Sequence, residues 1–353
     1  MNITVLGAGN AGTTIAADLS HKGHDVTLVK TSNSLHNEHH KKLFQTGTIK
    51  VNDLDCSYES TIRFTDEIEE AVTNAELIIV FIQTNYHRDI IERISPLLKS
   101  GQTILFEPGY LSTCYLLQKC KQNITIIEAE SSTIDCRITA PGEVTVLYKN
   151  VLNPFGVYPK NKIAHAKEVL SQLNYPFCLT DNVVEAALHN PNLIVHTVGA
   201  IFSSPRIEYS NGDYWMYREV FTPHVWTVVE ALDKEKMDVL EALGCKRLPY
   251  VEACKMRNST DSNENALDSF FDYANNHSPS GPNVPDSRYI TEDVEQGLVL
   301  LESLASVLNI KTPVCSALIN IAGAALSVDF RKNGRTVEAL GYNNIKTILE
   351  DSK

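Results

Sequence analysis

The 353-residue chain has little that indicates secretion, a membrane or nucleic acid. Its eight cysteines form no Cys-x-x-Cys pair, so they predict reduced, mostly buried thiols rather than a disulfide framework. No charged region with a cleavage site precedes the first apolar run, and no apolar stretch is long enough to span a bilayer. Lys and Arg form no basic stripe, and the net charge of -12 opposes binding to a duplex or an anionic membrane. We therefore expect a cytoplasmic protein with small-molecule partners, and neither nucleic acid nor a membrane as partner.

The order of the predicted elements divides the chain into two parts. In the first part, segments rich in Val, Ile and Phe alternate with helix-like segments, which is typical of a parallel α/β sheet. The predicted strands are Ile3 to Leu6, Asp25 to Val29, Leu77 to Gln83, Thr103 to Glu107, Thr125 to Glu128 and Val144 to Tyr148. After about residue 180 these signals end and helical periodicities follow. The sequence predicts an α/β domain over residues 1–180 and an all-α domain over residues 181–353.

Several helices are predicted in the second part. Asn190 and Pro191 form an N-cap followed by proline, which indicates a helix towards Phe202. Further predicted helices are Thr222 to Leu232, Lys234 to Leu243, Glu292 to Leu308 and Pro313 to Val328. Residues Asn275 to Asp286 are rich in turn formers and predict a loop.

A glycine motif at the N-terminus predicts a dinucleotide site. The run Gly7-Ala8-Gly9-Asn10-Ala11-Gly12 fits Gly-x-Gly-x-x-Gly, follows an apolar strand and opens a helix. In this setting Gly7 permits the tight turn, Gly9 lets the backbone approach a pyrophosphate, and Gly12 allows close packing of helix and strand. We expect these three glycines, with Asn10 and Ala11, to bind the cofactor in a Rossmann-type domain.

The residues after the second strand bear on which dinucleotide is used. A carboxylate there would bind the ribose 2′-hydroxyl of NAD, but the chain has Lys30-Thr31-Ser32. A cation and two hydroxyls suit a 2′-phosphate, so NADP is favoured over NAD. The alternative is that Lys30 is a solvated loop residue, and NAD stays open.

A histidine cluster follows shortly after. His36, His39 and His40 are succeeded by Lys41 and Lys42, and no carboxylate or cysteine stands at convincing ligand spacing. We expect a polar, solvated segment and no metal site.

Two polar clusters stand out in the second part. Asn192 and His196 are four residues apart and share one face of an apolar helix. A buried histidine needs a partner, which is either a backbone carbonyl or a catalytic group. The second cluster, Arg288-Tyr289-Ile290-Thr291-Glu292-Asp293, follows the predicted loop. Its acids equally fit a helix N-terminus, and its arginine fits a surface ion pair.

Taken together with the glycine motif, these clusters resemble the opine dehydrogenase family, which includes octopine and nopaline dehydrogenases. The resemblance covers most of the chain. Its further motifs are Thr84-Asn85-Tyr86-His87, Glu107-Pro108-Gly109, Glu128-Ala129-Glu130-Ser131, Asp135-Cys136-Arg137, Asn190-Pro191-Asn192, Phe221-Thr222-Pro223 and Glu230-Ala231-Leu232-Asp233.

The resemblance implies a fold like that of 6-phosphogluconate dehydrogenase relatives, with the active site between the two domains. It implies reductive condensation of a 2-oxo acid with an amino acid through an imine. His196 then matches the family's acid/base, and Asp293 matches the carboxylate that orients it. The resemblance also implies a cofactor-site position for Thr84 and substrate-site positions for Arg288, Asn192 and Arg137. Arg218 is a third candidate arginine for the substrate, since it stands near the motif Phe221-Thr222-Pro223. The family includes monomers and dimers, so a homodimer is one assembly that the resemblance allows.

Two other functions remain open at this point. A simple 2-oxo acid or hydroxy acid reductase, like ketopantoate reductase, is expected to use a lysine, and no lysine stands near Asn192. A catalytically silent dinucleotide sensor would keep the glycines and lose the polar pair. The chain departs from the family pattern at three places. Asn85 stands in place of proline, Thr197 stands where proline usually follows the histidine, and Tyr110-Leu111-Ser112 replaces a Thr-Gly-type continuation.

Overall fold

The computed structural model describes residues 1–32, 36–261 and 263–351. The chain divides into two compact units, Met1–Val183 and Val184–Lys353, and the division falls near the boundary predicted after residue 180. Within the described ranges, no single helix is long and apolar enough to cross a membrane, whereas one bent pair, Pro313–Leu326 with Phe330–Leu340, has the length and composition.

The first unit holds twelve strands among its described residues. In chain order they are β1 (Asn2–Leu6), β2 (Asp25–Val29), β3 (Thr48–Asn52), β4 (Ser57–Thr61), β5 (Arg63–Thr65), β6 (Leu77–Val80), β7 (Thr103–Phe106), β8 (Thr125–Ala129), β9 (Ile134–Ala140), β10 (Glu143–Lys149), β11 (Asn153–Tyr158) and β12 (Phe177–Leu179).

Eight of these strands form the main sheet, in the order β12-β11-β8-β7-β6-β1-β2-β5. All neighbouring pairs are parallel except β11 with β8. Val5 of β1 pairs with Leu28 and Ile79, and these side chains are buried on one face of the sheet. The next residue, Leu6, pairs with Val29 and Val80, and these are buried on the opposite face. Both faces of the sheet are therefore covered, as the apolar strand composition predicts. The predicted Rossmann-type domain is confirmed.

Six helices accompany the strands within the described part of this unit. They are α1 (Asn10–His21), α2 (Asn37–Thr46), α3 (Ile68–Asn74), α4 (His87–Ile94), α5 (Ser112–Lys119) and α6 (Ile163–Leu173). Ile15, Ala16 and Leu19 form the buried side of α1 and join the core built by the strands.

A second, smaller sheet was not expected from the sequence. It has four strands in the order β4-β3-β10-β9. The predicted strand Val144 to Tyr148 lies in β10, so it belongs to this sheet and not to the main one. Tyr58 of β4 is half-buried and donates a hydrogen bond to Asp18 of α1, at 3.1 Å between oxygens. The small sheet thus covers α1, the helix that follows the glycine motif.

Helices make up the described secondary structure of the second unit. They are α7 (Val183–Leu188), α8 (Asn192–Ser210), α9 (Met216–Glu219), α10 (Pro223–Ala242), α11 (Tyr250–Asn258), α12 (Ala266–Asp272), α13 (Arg288–Thr291), α14 (Val299–Val307), α15 (Pro313–Leu326), α16 (Phe330–Asn333), α17 (Val337–Leu340) and α18 (Tyr342–Asp351). π-helical turns cover Tyr273–His277 and Val294–Leu298. The prediction of an all-α second part is confirmed.

Three helix predictions need correction. Helix α8 continues past Phe202 to Ser210 with Pro205 inside it. The two helices expected on either side of Asp233 form one continuous helix, α10. Within it Asp233 forms an ion pair with Lys236, at 2.6 Å between Oδ1 and Nζ. The helix expected from Glu292 begins instead with the π-helical turn that precedes α14.

Candidate active site

The glycine motif has the geometry that the sequence predicts. Gly7 has a φ of +111°, and a Cβ there would lie 2.3 Å from the carbonyl oxygen of Phe81. A Cβ on Gly12 would lie 1.8 Å from the Gly7 carbonyl oxygen. Gly9 differs, because a Cβ there would meet nothing within 4 Å. The loop is thus tightly packed at Gly7 and Gly12 and open at Gly9, where a pyrophosphate would approach.

The start of α1 completes this loop. Gly9 caps the helix with its backbone and makes no side-chain cap, so the helix N-terminus presents its N–H groups and positive dipole end. Asn10, the first helical residue, accepts a hydrogen bond from the Ile138 amide at 2.9 Å. Ala11 is half-buried in the first turn. Asn10 therefore ties the motif to β9, and its contact with a cofactor stays a prediction.

Lys30 directly follows β2, as predicted. Its amide donates to the Thr65 carbonyl at 2.9 Å, which anchors the backbone beside β5. Lys30 and Thr31 are half-buried and Ser32 is exposed. The cation and two hydroxyls therefore stand at the end of the second strand, the position from which a Rossmann domain binds the adenosine ribose.

The histidine cluster is only in part the solvated segment expected, because His36 is exposed but the other two histidines are not. His39 and His40 are both 3% exposed. His40 Nε2 donates to the Ala8 carbonyl at 2.9 Å, and His39 Nδ1 accepts from the Gly142 amide at 3.0 Å. Burial lowers the pKa of His39 to about 4 and also lowers that of His40, where the Lys30 charge acts in the same direction. Since these rings stay neutral, they hold α2 against the glycine motif. Among the described residues no group of three or more His, Cys, Asp or Glu side chains has a metal-binding arrangement.

Thr84 lies just beyond β6 and is buried at the start of a 3₁₀ turn, Thr84–Tyr86. His87 follows, and its Nδ1 is hydrogen-bonded to Ser112 Oγ at 2.6 Å. Because Ser112 begins α5, this bond joins the segments that follow β6 and β7. The motif containing Thr84 and the one containing Gly109 are thus parts of one edge of the sheet.

Two buried carboxylates at this edge belong to motifs quoted from the sequence, where neither was given a role of its own. Glu128 accepts hydrogen bonds from the Leu111 amide at 2.8 Å and from the Thr113 amide at 2.6 Å. A Cβ on Gly109 would lie 1.9 Å from Glu128 Oε2, so only glycine fits there. Glu107 accepts from the Thr133 amide at 2.7 Å, and burial raises the pKa of its carboxyl to about 7. These acids fix the chain after β7.

Arg137 lies on β9 of the small sheet and is exposed. Its Nη1 donates to the Cys136 carbonyl at 2.8 Å. A contact with substrate stays a prediction for this residue.

In the second unit, His196 and Asp293 form the pair that the resemblance implies. His196 Nδ1 donates to Asp293 Oδ2 at 2.8 Å, and the side chains are 5% and 2% exposed. His196 lies on α8, which Asn190 caps by accepting from the Asn192 amide at 2.9 Å. Asn192 itself is half-buried one turn before the histidine. A buried carboxylate that accepts from Nδ1–H fixes the tautomer and supports the imidazolium.

The aromatic ring of Tyr289 covers one face of this histidine. The ring centroids of His196 and Tyr289 are 3.7 Å apart and the ring planes differ by 4°. Tyr289 belongs to the sequence cluster Arg288 to Asp293, but its own role was not predicted. The only sequence signal is its place in that motif.

The predicted substrate arginines of this unit lie on different helices. Arg288 has half of its side chain exposed, with Nη1 3.5 Å from Glu292 Oε2 and the guanidinium 5.9 Å from the Tyr289 ring. Arg218 is exposed on α9, donates to the Ala274 carbonyl at 3.3 Å and lies 5.4 Å from the Trp215 ring. Arg288 therefore lies near the Tyr289 ring that covers His196, and its contact with substrate stays a prediction. Arg218 stays a prediction.

Comparison with known proteins defines the class first. Residues 2–107 match the model of the NAD-dependent glycerol-3-phosphate dehydrogenase N-terminus. Residues 179–326 match the alpha-helical domain of NAD/NADP octopine/nopaline dehydrogenase. The predicted class, an NAD(P)-dependent oxidoreductase of the opine dehydrogenase type, is confirmed.

Individual relatives agree along the whole length. The chain is 27% identical over 347 residues to an opine dehydrogenase from Arthrobacter sp. (strain 1C), covering 97% of this chain and 95% of the relative. An octopine dehydrogenase structure in complex with NADH and agmatine has a TM-score of 0.77 at 18% identity, covering 99% and 98%. A yersinopine dehydrogenase structure with NADP+ bound has a TM-score of 0.73 at 15% identity, covering 100% and 98%. The chain is therefore similar over nearly its whole length to an opine dehydrogenase and to octopine dehydrogenase structures.

Proposed function

We propose that the chain is an opine dehydrogenase that joins a 2-oxo acid to the amino group of an amino acid, using NAD(P)H. The buried His196–Asp293 hydrogen bond of 2.8 Å carries the proposal, because a simple nucleotide-binding module has no use for an oriented acid/base. The relatives support it, since similar structures are of octopine dehydrogenase with NADH and either L-arginine or pyruvate.

The residues of the first unit fit a nicotinamide dinucleotide. The open space at Gly9 and the N-terminus of α1, which no side chain caps, fit a pyrophosphate. When bound, the cofactor supplies the hydride that reduces the imine carbon. Lys30, Thr31 and Ser32 favour NADPH, because a cation and hydroxyls can bind a 2′-phosphate whereas no carboxylate is present to bind a 2′-hydroxyl.

His196 moves the protons that imine formation requires. As a neutral base with its proton on Nδ1, it accepts a proton at Nε2 from the ammonium group of the amino acid. The freed amine adds to the 2-oxo carbon, and one of its protons passes to the former carbonyl oxygen. The imidazolium then gives its proton to the resulting hydroxyl, which leaves as water, so the product is a protonated imine. Asp293 accepts the hydrogen bond from Nδ1 and stabilises the imidazolium. Proton uptake and release balance, so the histidine is ready for the next turnover.

Two substrate carboxylates require positive partners. Arg288 is the strongest candidate, because its guanidinium lies 5.9 Å from the Tyr289 ring that covers His196 and its side chain is half exposed. We assign Arg137 and Arg218 as further candidates, and Asn192 as a polar contact one helical turn from His196.

The decisive experiment measures NADPH oxidation by a 2-oxo acid such as pyruvate, with and without a panel of amino acids. We expect oxidation to be slow until an amino acid is added, and the product to be a secondary amine dicarboxylate of the corresponding mass. His196→Ala should lower turnover roughly 10²- to 10⁴-fold with cofactor affinity unchanged. His224→Ala, which removes an exposed histidine on α10, serves as the matched control.

Each alternative has its own outcome in this assay. Fast oxidation by the oxo acid alone, giving a hydroxy acid, would identify a reductase. Tight cofactor binding without turnover for any substrate pair would identify a sensor. Full activity of His196→Ala would show that the histidine is a core residue.

The assembly and the compartment are also proposals. We infer a homodimer, since a dimer is one of the states the family adopts, and light scattering on the purified protein tests it. We infer a cytoplasmic location from the eight cysteines, all of which are free thiols. Fractionation of the native host tests that location.

A further inference from the structure

The phenol ring of Tyr289 lies flat against the imidazole of His196. The centroid separation of 3.7 Å and the 4° angle between planes describe a full face-to-face contact. Both residues are buried, at 9% and 4% exposure. Water is therefore largely excluded from this face of the imidazole, and the tyrosine ring is its immediate neighbour there.

One short segment supplies both contacts to the histidine. Tyr289 and Asp293 are four residues apart, so they project from the same face of a helical segment that begins with α13. The hydrogen bond to Asp293 fixes one nitrogen of the imidazole, but it permits the ring to tilt about that bond. The stacked Tyr289 removes this freedom because it fixes the plane. The direction of Nε2 then depends on both residues.

The stack also affects the charge on the histidine. The face of an aromatic ring is electron-rich and attracts a cation, more strongly when water is excluded. An imidazolium on this face is therefore stabilised relative to neutral imidazole. The other charged groups of the segment are Asp293, which favours the imidazolium, and Arg288, which opposes it from 5.9 Å beyond the tyrosine ring. Glu292 lies 3.5 Å from Arg288 and offsets that charge.

We propose that Tyr289 is a positioning residue for the reaction, which holds the plane of the His196 imidazole and stabilises its protonated form. The inference rests on the proposed function, in which His196 accepts and returns a proton. It adds a third member to the pair, and it predicts that an aromatic ring, rather than the tyrosine hydroxyl, is the required feature.

The test compares Tyr289→Phe, which keeps the ring, with Tyr289→Leu and Tyr289→Met, which remove it. Methionine is flexible and fills irregular space, so it keeps the protein folded if leucine does not. We expect the phenylalanine variant to remain within about threefold of wild-type kcat. The other two should lose roughly 10- to 100-fold in kcat, with KM for NADPH unchanged. Tyr250→Leu, a buried tyrosine on α11 that packs on Phe270, is the control for losing a core ring.

A second measurement separates positioning from general stability. The acidic limb of the kcat/KM profile should move to lower pH by about half to one unit in the leucine and methionine variants, and stay in place in the phenylalanine variant. NMR titration of labelled histidine in the substrate-free protein, with the signal assigned by His196→Ala, should show the same change.

The two proposals fail in different ways. Wild-type kcat and an unmoved His196 titration in both ring-deleted variants would overturn the role of Tyr289 and leave the opine activity intact. Full activity of His196→Ala would overturn the proposed function, while the NMR titration would still report whether the tyrosine ring supports the imidazolium.

Discussion

Glu107 offers a quantitative test of the buried edge of the sheet. It directly follows β7 and is 4% exposed, and its Oε1 accepts hydrogen bonds from the amide and hydroxyl of Thr133. Burial raises the pKa of the carboxyl from 4.5 to about 7, although both hydrogen bonds act to lower it. We therefore substitute Glu107→Gln, which keeps the shape and an acceptor oxygen for Thr133 but cannot ionise.

The sign of the effect follows from proton linkage. A carboxyl whose pKa is raised on folding contributes stability that is fully present below pH 4.5 and is lost as pH rises through 7. The gap between 4.5 and about 7 corresponds to about 3 kcal/mol, at about 1.4 kcal/mol per pKa unit. Relative to wild type, the glutamine variant should therefore gain up to about 3 kcal/mol of unfolding free energy between pH 4.5 and pH 8.

Urea unfolding at several pH values, followed by circular dichroism, measures this difference. Glu168→Gln is the matched control, because it removes an exposed glutamate on α6 of the same unit. The control should follow wild type at every pH. If the Glu107→Gln and wild-type curves stay parallel across the range, Glu107 is not buried in its neutral form and the reasoning is wrong.

Four further substitutions test the site. Gly12→Ala should lower both stability and cofactor affinity, since its Cβ would lie 1.8 Å from the Gly7 carbonyl oxygen. Gly9→Ala should keep the melting temperature and weaken cofactor binding alone, because its Cβ would meet nothing within 4 Å. Thermal melts measure the stability of each variant, and fluorescence titrations measure its affinity for the cofactor. Lys30→Glu should change a preference for NADPH of about tenfold or more into a preference for NADH, and equal affinities in wild type would contradict this. Asp293→Asn should lower turnover roughly 10²- to 10⁴-fold in steady-state assays with little change in cofactor affinity, because the amide no longer fixes the histidine tautomer.

The part of the fold that sequence patterns predicted correctly consists of regular, deeply buried segments. The strands β1, β2 and β7 are rich in Ile, Val, Leu and Phe and are mostly buried, as strands covered on both faces of a sheet are. The second sheet was not predicted because its strands lack a continuous apolar composition. Its strands β3 and β4 are short and carry polar residues on a partly exposed face, so their pairing depends on tertiary contacts rather than on composition.

His39 and His40 show where local reasoning about the site fails. The neighbouring lysines and the high polarity indicated a solvated segment, and the two lysines are indeed exposed. The two histidines point the other way because α2 packs beside the glycine motif, where the Ala8 carbonyl and the Gly142 amide need partners. Gly142 is a hundred residues further along the chain. No window of local sequence contains both halves of that interaction.

The same argument explains why His196 and Asp293 were paired and Tyr289 was not. The pair came from the family resemblance, which carries long-range information that spacing alone cannot supply, since 97 residues separate the two. Tyr289 stands inside the same quoted cluster, yet a motif records which residues occur together and not which faces touch. The stacking on His196 depends on how α13 packs against α8, and only coordinates reveal it. A family motif therefore identifies the acid/base, whereas the group that holds it in place follows from the packing around it.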